Sequence, residues 1–229
     1  MNHSALPLRR LARAAILAAA VLNAPFNLAS VSATAVAATA PSALPAPQTS
    51  GPLAEAITAL RSITTLRADF IQTDRNGNRS NGVLTIKRPG KIRFQYAPGI
   101  PLLIVGDGRA LTLIDYEVRQ VQRWPIGNSP LGALLDPNRD LARFGRLQPT
   151  TDTNVVSIEV RDRGHPEYGV ITLIFVRKAS APGGLELTSW VALDSQNKRT
   201  TIRLSNPQYG TAVSDDTFRW NDPRRPAHR

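Results

Sequence analysis

From Leu66 onward, apolar and polar residues alternate with a period of two in short runs, and most neighbouring runs are separated by a turn signal. The runs fall at 66–70, 83–87, 91–96, 102–105, 110–115 and 118–124, with Asn76-Gly77-Asn78, Arg88-Pro89-Gly90, Pro98-Gly99 and Gly106-Asp107-Gly108 between them. Successive side chains on a strand point to opposite faces, so each run has one face to bury, and glycine-rich turns fold the chain back antiparallel to itself. The pattern resumes after Gly145, at about 145–150, 154–162, 168–177, 185–194 and 199–205, and a short apolar segment follows around Phe218 and Trp220. The chain is therefore expected to be mainly β with few helices (α+β), built on one antiparallel sheet of about eleven strands. A sheet that wide must curl or split, and amphipathic helices are the natural cover for its concave face.

Two segments supply that cover. Leu53, Ala56, Ile57, Leu60 and Ile63 recur at helical spacing behind Pro52, with Glu55 near the N-terminal dipole, which predicts a helix over about 52–64. Ser129-Pro130 opens a second helix, with Ser129 as N-cap, Leu131, Leu134 and Leu135 on one side, and Asp136-Pro137 as its stop. A further helical turn is expected over 138–144. No charge run or shift in composition divides the chain after residue 52, so 52–220 reads as one domain.

The N-terminal part reads differently. Arg9, Arg10 and Arg13 precede an apolar, alanine-rich run from Ala14 to Val21, and small-residue triplets that suit a signal peptidase follow between Ala33 and Ala40. The run is shorter than the ~20 residues that a bilayer requires and is broken by Asn23, Pro25 and Asn27. Residues 1–40 are thus expected to be a removable secretory signal, residues 41–51 a flexible lead-in, and residues 221–229 a basic, disordered tail. The absence of cysteine removes disulfides, thiolate metal sites and a lipid-anchoring thiol. Loss of three arginines with the signal takes the formal charge from +11 to +8. The basic residues are scattered instead of forming a stripe with stacking aromatics, which argues against nucleic acid and for anionic lipid headgroups or an acidic protein surface.

Catalytic patterns are not found. Beyond residue 40 there are two histidines, His165 in a Gly-His-Pro-Glu loop and His228 in the tail, and neither belongs to a metal-ligand pair at helical spacing. No nucleophile elbow, phosphate-binding loop or dinucleotide fingerprint occurs. Asp107, Asp152, Asp215 and Asp216 sit in turn-like contexts where aspartate usually caps the backbone. No metal, cofactor or enzymatic activity is expected.

Segment 82–96, GVLTIKRPGKIRFQY, followed by 103–116, LIVGDGRALTLIDY, resembles the outer-membrane lipoprotein carrier proteins, the LolA family. Three more features fit in order: Ala68-Asp69-Phe70-x-Gln72, then Gln120-Val121-x-Arg123, then Ser129-Pro130-Leu131. The resemblance implies a twisted, incomplete antiparallel barrel closed by a helical lid, whose apolar interior receives the acyl chains of lipoproteins. It implies a monomer in the periplasm of a Gram-negative bacterium that takes lipid-modified proteins from an inner-membrane lipoprotein-releasing ABC transporter and passes them to an outer-membrane acceptor. Arg88 matches the family's arginine before the proline, which implies hydrogen bonds to lid carbonyls near Leu134 and Leu135. Phe70, Ile92, Phe94, Leu111, Leu113 and Leu131 are the residues expected to line the acyl-chain cavity. Family members often carry a bulky aromatic at the position of Ile92 and tryptophan at that of Phe94, so a weaker aromatic lining is expected here. Two other readings use the same fold: an envelope-stress regulator of the RseB type that senses lipid or lipoprotein, and a carrier for another lipid.

Overall fold

The structure is a computed structural model that describes residues 51–126, 129–136 and 141–224. The expected signal, nearly all of the lead-in and residues 225–229 of the tail lie outside the described residues. A first helix, α1 (Pro52–Ser62), precedes six strands: β1 (Thr65–Thr73), β2 (Arg79–Lys87), β3 (Lys91–Tyr96), β4 (Leu102–Asp107), β5 (Ala110–Asp115) and β6 (Gln120–Pro125). The short helix α2 (Pro130–Leu135) and a 3-10 turn, Leu141–Arg143, lead to β7 (Gly145–Gln148), β8 (Val155–Arg161), β9 (Val170–Arg177), β10 (Leu185–Leu193) and β11 (Arg199–Tyr209).

All strands join one eleven-stranded sheet in the order β6-β5-β4-β3-β2-β1-β11-β10-β9-β8-β7. Every pairing is antiparallel, as short turns demand. Two meanders are thus stitched together by β1 and β11 at the centre, while β6 and β7 form the edges. They do not pair with each other, so the sheet is not closed.

Alternation decides which face is buried. Leu66, Ala68 and Phe70 of β1, Ile92, Phe94 and Tyr96 of β3, Val156, Ile158 and Val160 of β8, and Ile171, Leu173 and Phe175 of β9 all enter one core with Ala56, Ile57 and Leu60 of α1. Helix α1 packs on β7, β8 and β10 and against the 3-10 turn Pro182–Gly184. That seat requires glycine: Gly183 has φ +65, and a Cβ there would lie 2.7 Å from the Ala59 Cα.

Strands β4 and β5 are buried on both faces. Their outward side chains, Leu103, Val105 and Ile114, form a second small core with Phe218 and Trp220, because the segment after β11 straps back across the convex face. Lysines and an arginine of β2 and β3 hold the strap. Lys87 Nζ donates to the Val213 carbonyl at 2.8 Å, Asp215 pairs with Lys87 at 2.6 Å and Lys91 at 2.9 Å, and Arg93 donates to the Thr217 and Arg219 carbonyls at 3.0 Å each. Hydrogen bonds from Lys87 and then Lys91 lower the Asp215 carboxyl from 3.8 to about 2. A depressed carboxylate stabilises above its unfolded value and loses that contribution as pH falls through its folded value. The strap is therefore expected to loosen as pH drops from 3.8 toward 2, read from the Trp220 indole resonance, and Asp215→Asn is expected to remove that step.

Element boundaries differ from the sequence reading where polar side chains intervene. The run expected at 118–124 begins at Gln120 instead, because the Asp115 carboxylate accepts the Glu117 and Val118 amides at 3.0 and 3.2 Å and draws the preceding residues into a turn. Val118 is left 56% exposed there. Strand β11 runs on past 205 through Asn206-Pro207, which reads as a breaker in sequence. A register shift opposite Arg67 and Asp69 absorbs the proline, with Asn206 at φ 52 and its Nδ2 donating to the Asp69 carboxylate at 2.8 Å. Strand β9 starts later than expected, since Pro166–Tyr168 forms a 3-10 turn. Of the helical turn expected at 138–144, Leu141–Arg143 is a 3-10 turn and residues 138–140 lie outside the described residues.

Candidate functional site: a latched helix over an apolar cavity

Helix α2 is too short to persist alone and depends on its ends. At its start, Ser129 Oγ accepts the Gly132 amide at 3.2 Å and donates to the Ile126 carbonyl at 2.8 Å. At its end, two carbonyls are met by the β2–β3 turn. Arg88 Nη1 donates to the Leu134 carbonyl at 2.8 Å, and the backbone amide of Gly90 donates to the Leu135 carbonyl at 2.8 Å. One turn therefore holds the terminus of the helix through one side-chain and one main-chain bond.

The guanidinium is held at some cost. Burial lowers its pKa to about 10, against the opposing field of Asp136, and among the described residues its buried Nε has no hydrogen-bond partner. A charged donor in that setting makes a strong bond to Leu134, yet its desolvation keeps the closed state from being deeply stable.

The turn itself is confined. Gly90 has φ +78, and a Cβ there would lie 2.5 Å from the Gly108 Cα in the β4–β5 turn. Gly90→Ala is expected to destabilise the protein by at least about 1–2 kcal/mol from the left-handed conformation alone. It should also free the Leu135 carbonyl, which thermal melting and amide exchange at residue 90 would check.

Beneath α2 lies a cavity of about 70 Å³. Leu131, Leu134 and Leu135 form its roof, Leu60 of α1 enters from one side, Ile86, Ile92, Phe94 and Leu111 come from the first meander, and Ile171, Leu173, Leu187 and Trp190 from the second. Among the described residues, Arg88 is the only charged one in the lining. Phe94 and Trp190 meet edge to face with centroids 6.0 Å apart, so β10 supplies a tryptophan to the wall across from β3.

The residues singled out in the sequence divide as follows. Ile92, Phe94, Leu111 and Leu131 line the cavity. Phe70 and Leu113 do not; both are buried in the continuous core, where the Phe94 and Tyr96 rings cover Phe70 at 5.4 and 5.2 Å. Arg88, Leu134 and Leu135 converge, but the Leu135 carbonyl is taken by Gly90 and not by the arginine. Ile171, Leu173, Leu187 and Trp190 were not singled out, although the alternation of Ile171, Leu173 and Phe175 carries the signal of an inward face. Deeper in the core, Tyr96 donates to Gln72 Oε1 at 2.7 Å, which satisfies both buried groups. Among the described residues, no group of three or more acidic, histidine or cysteine side chains is placed to hold a metal ion.

Residues 61–221 match the sequence profile of the family described as outer membrane lipoprotein carrier protein LolA. This chain belongs to the LolA family. An outer-membrane lipoprotein carrier protein of Dechloromonas aromatica (strain RCB) is 31% identical over 182 residues, which cover 72% of this chain and 80% of the relative. A solved LolA superfamily protein from Nitrosomonas europaea has a TM-score of 0.41 at 10% identity, covering 73% of this LolA-family chain and 98% of that one. A solved MucA/MucB complex of Pseudomonas aeruginosa gives 0.42 at 15% identity, covering 73% of this chain and 60% of that chain.

Proposed function

We propose that the protein is a periplasmic carrier that hides the acyl chains of lipoproteins under α2 and shuttles them from an inner-membrane releasing transporter to an outer-membrane acceptor. The observation that carries this reading is the apolar cavity roofed by a helix whose end is held to the β2–β3 turn, among the described residues, by two hydrogen bonds. Acyl chains cannot cross water unaided, since each buried methylene is worth ~0.8 kcal/mol. A wall of leucine, isoleucine, phenylalanine and tryptophan repays that cost. The closed cavity, about 70 Å³, is well below the ~300–1,000 Å³ of a site for one drug-sized molecule, so admitting long acyl chains requires the roof to move. Opening breaks two bonds and exposes three leucines, which the incoming chains re-cover. Release reverses the exchange, and the latch re-forms as the chains depart.

The test uses purified protein loaded with a fluorescent fatty-acyl probe. A triacylated lipopeptide is expected to displace the probe, and the same peptide without its acyl chains is not. Failure of the lipopeptide to compete sinks the carrier reading. Equal displacement by glycolipids of matched chain length transfers the proposal to another lipid cargo.

A further inference from the structure

Apart from the lid and cavity, a strongly charged concave surface lies at the β7 edge. Arg143, Arg146, Arg161 and Arg163 surround a cleft of about 170 Å³. Its two acids are already engaged: Glu159 Oε2 accepts from Gln148 Nε2 at 3.4 Å, and Asp162 Oδ1 accepts the Gly164 amide at 2.9 Å. Among the described residues, no ion pair joins any of the four arginines to a carboxylate. Four cations against two anions leave a formal excess of two positive charges around the cleft.

Guanidinium forks without carboxylate partners suit phosphate oxygens, which they bind through paired, charge-assisted hydrogen bonds. Two placements favour a bilayer over a free phosphate. Leu147 of the edge strand β7 is 48% exposed on the face opposite Arg146, so this edge offers an apolar side chain as well as cations, as a segment entering the headgroup layer would. The turn Leu141–Arg143 contacts both α2 and β7, so the Arg143 end of the cleft adjoins the lid.

We propose that this cleft docks the β7 edge on a bilayer surface carrying anionic phospholipid headgroups, with the lid helix turned toward the leaflet. The use of such docking, delivery of chains to or from that leaflet, rests on the carrier reading; the docking itself does not.

The experiment is flotation of the purified protein with vesicles of mixed phosphatidylglycerol and phosphatidylcholine, or of phosphatidylcholine alone, at low salt. The protein is expected to float with the mixed vesicles and not with the zwitterionic ones. Arg161→Ser with Arg163→Ser is expected to weaken binding by about 25-fold, at roughly five-fold per basic residue near an anionic surface. Arg75→Ser with Arg79→Ser, which removes two exposed arginines from the β1–β2 hairpin across the sheet, is expected to change it less than about three-fold. Equal loss in both double variants overturns the cleft, since the attraction is then diffuse net charge. No flotation of the wild-type protein overturns it in favour of an acidic protein surface. Full competition by millimolar inorganic phosphate also overturns it, because the cleft is then a soluble-phosphate site. Uptake of the fluorescent acyl probe, measured on the same samples, separates the two claims: a protein that takes the probe but ignores vesicles loses only the docking.

Discussion

Arg88→Leu is expected to slow transfer of cargo to acceptor membranes by about ten-fold or more, while leaving the protein folded. Arg88 Nη1 donates to the Leu134 carbonyl at 2.8 Å. A hydrogen bond from a charged group contributes about 1.5–3 kcal/mol, and ten-fold in an equilibrium corresponds to about 1.4 kcal/mol. The substitution removes that much from the closed state and nothing comparable from the open one. Because closing opposes the cargo, a weaker latch favours the loaded state and delays release. The Gly90 to Leu135 bond survives, so the lid is loosened and not abolished. Leucine in that place also matches the apolar lining, so the protein stays folded, and the guanidinium's lost desolvation cost offsets only part of the effect on the closed state. Transfer of labelled lipoprotein between vesicles, followed over time, measures the effect. A transfer rate equal to that of the wild type contradicts the latch.

Phe70→Ala is expected to act in the opposite manner, through the core and not through the cavity. Phe70 is 1% exposed and makes edge-to-face contacts with both Phe94 and Tyr96. Deleting a buried phenylalanine side chain costs about 3–5 kcal/mol, and at about 2–4 °C per kcal/mol for a chain of this size the melting temperature should drop by roughly 6–20 °C. Acyl-probe affinity of the fraction that remains folded should change far less than under Arg88→Leu. A drop of only a few degrees, joined to a large loss of probe binding, places Phe70 on the cavity wall and contradicts the geometry described above.

The sheet was legible because its physics is local. Period-two alternation and glycine turns are written residue by residue, so the sequence alone places nearly every strand. Its departures lie where a single polar side chain outweighs the pattern. Asp115 gathers two amides and turns Val118 out of β6, and the bulge at Asn206 lets Pro207 sit inside β11. The cavity was legible by half. Ile92, Phe94 and Leu111 stand in the segment with the strongest family resemblance, whereas Ile171, Leu173, Leu187 and Trp190 reach the same space only because β1 pairs with β11 across the whole chain. Nothing local announces that pairing. Direction along a strand was also invisible: Phe70 and Leu113 have the correct face but not the position under α2. The latch shows a further limit. An arginine before a proline can be recognised in a sequence, but the Gly90 amide that holds Leu135 is backbone, and backbone donors leave no residue signature.

The central claim is that lipid-modified proteins depend on this chain to leave the inner membrane. Depletion in the native host followed by membrane fractionation tests it most directly. The account predicts that lipoproteins destined for the outer membrane accumulate in the inner membrane, and that wild-type protein restores their distribution while Arg88→Leu restores it poorly. An unchanged distribution after depletion contradicts the account, even with the fold as described.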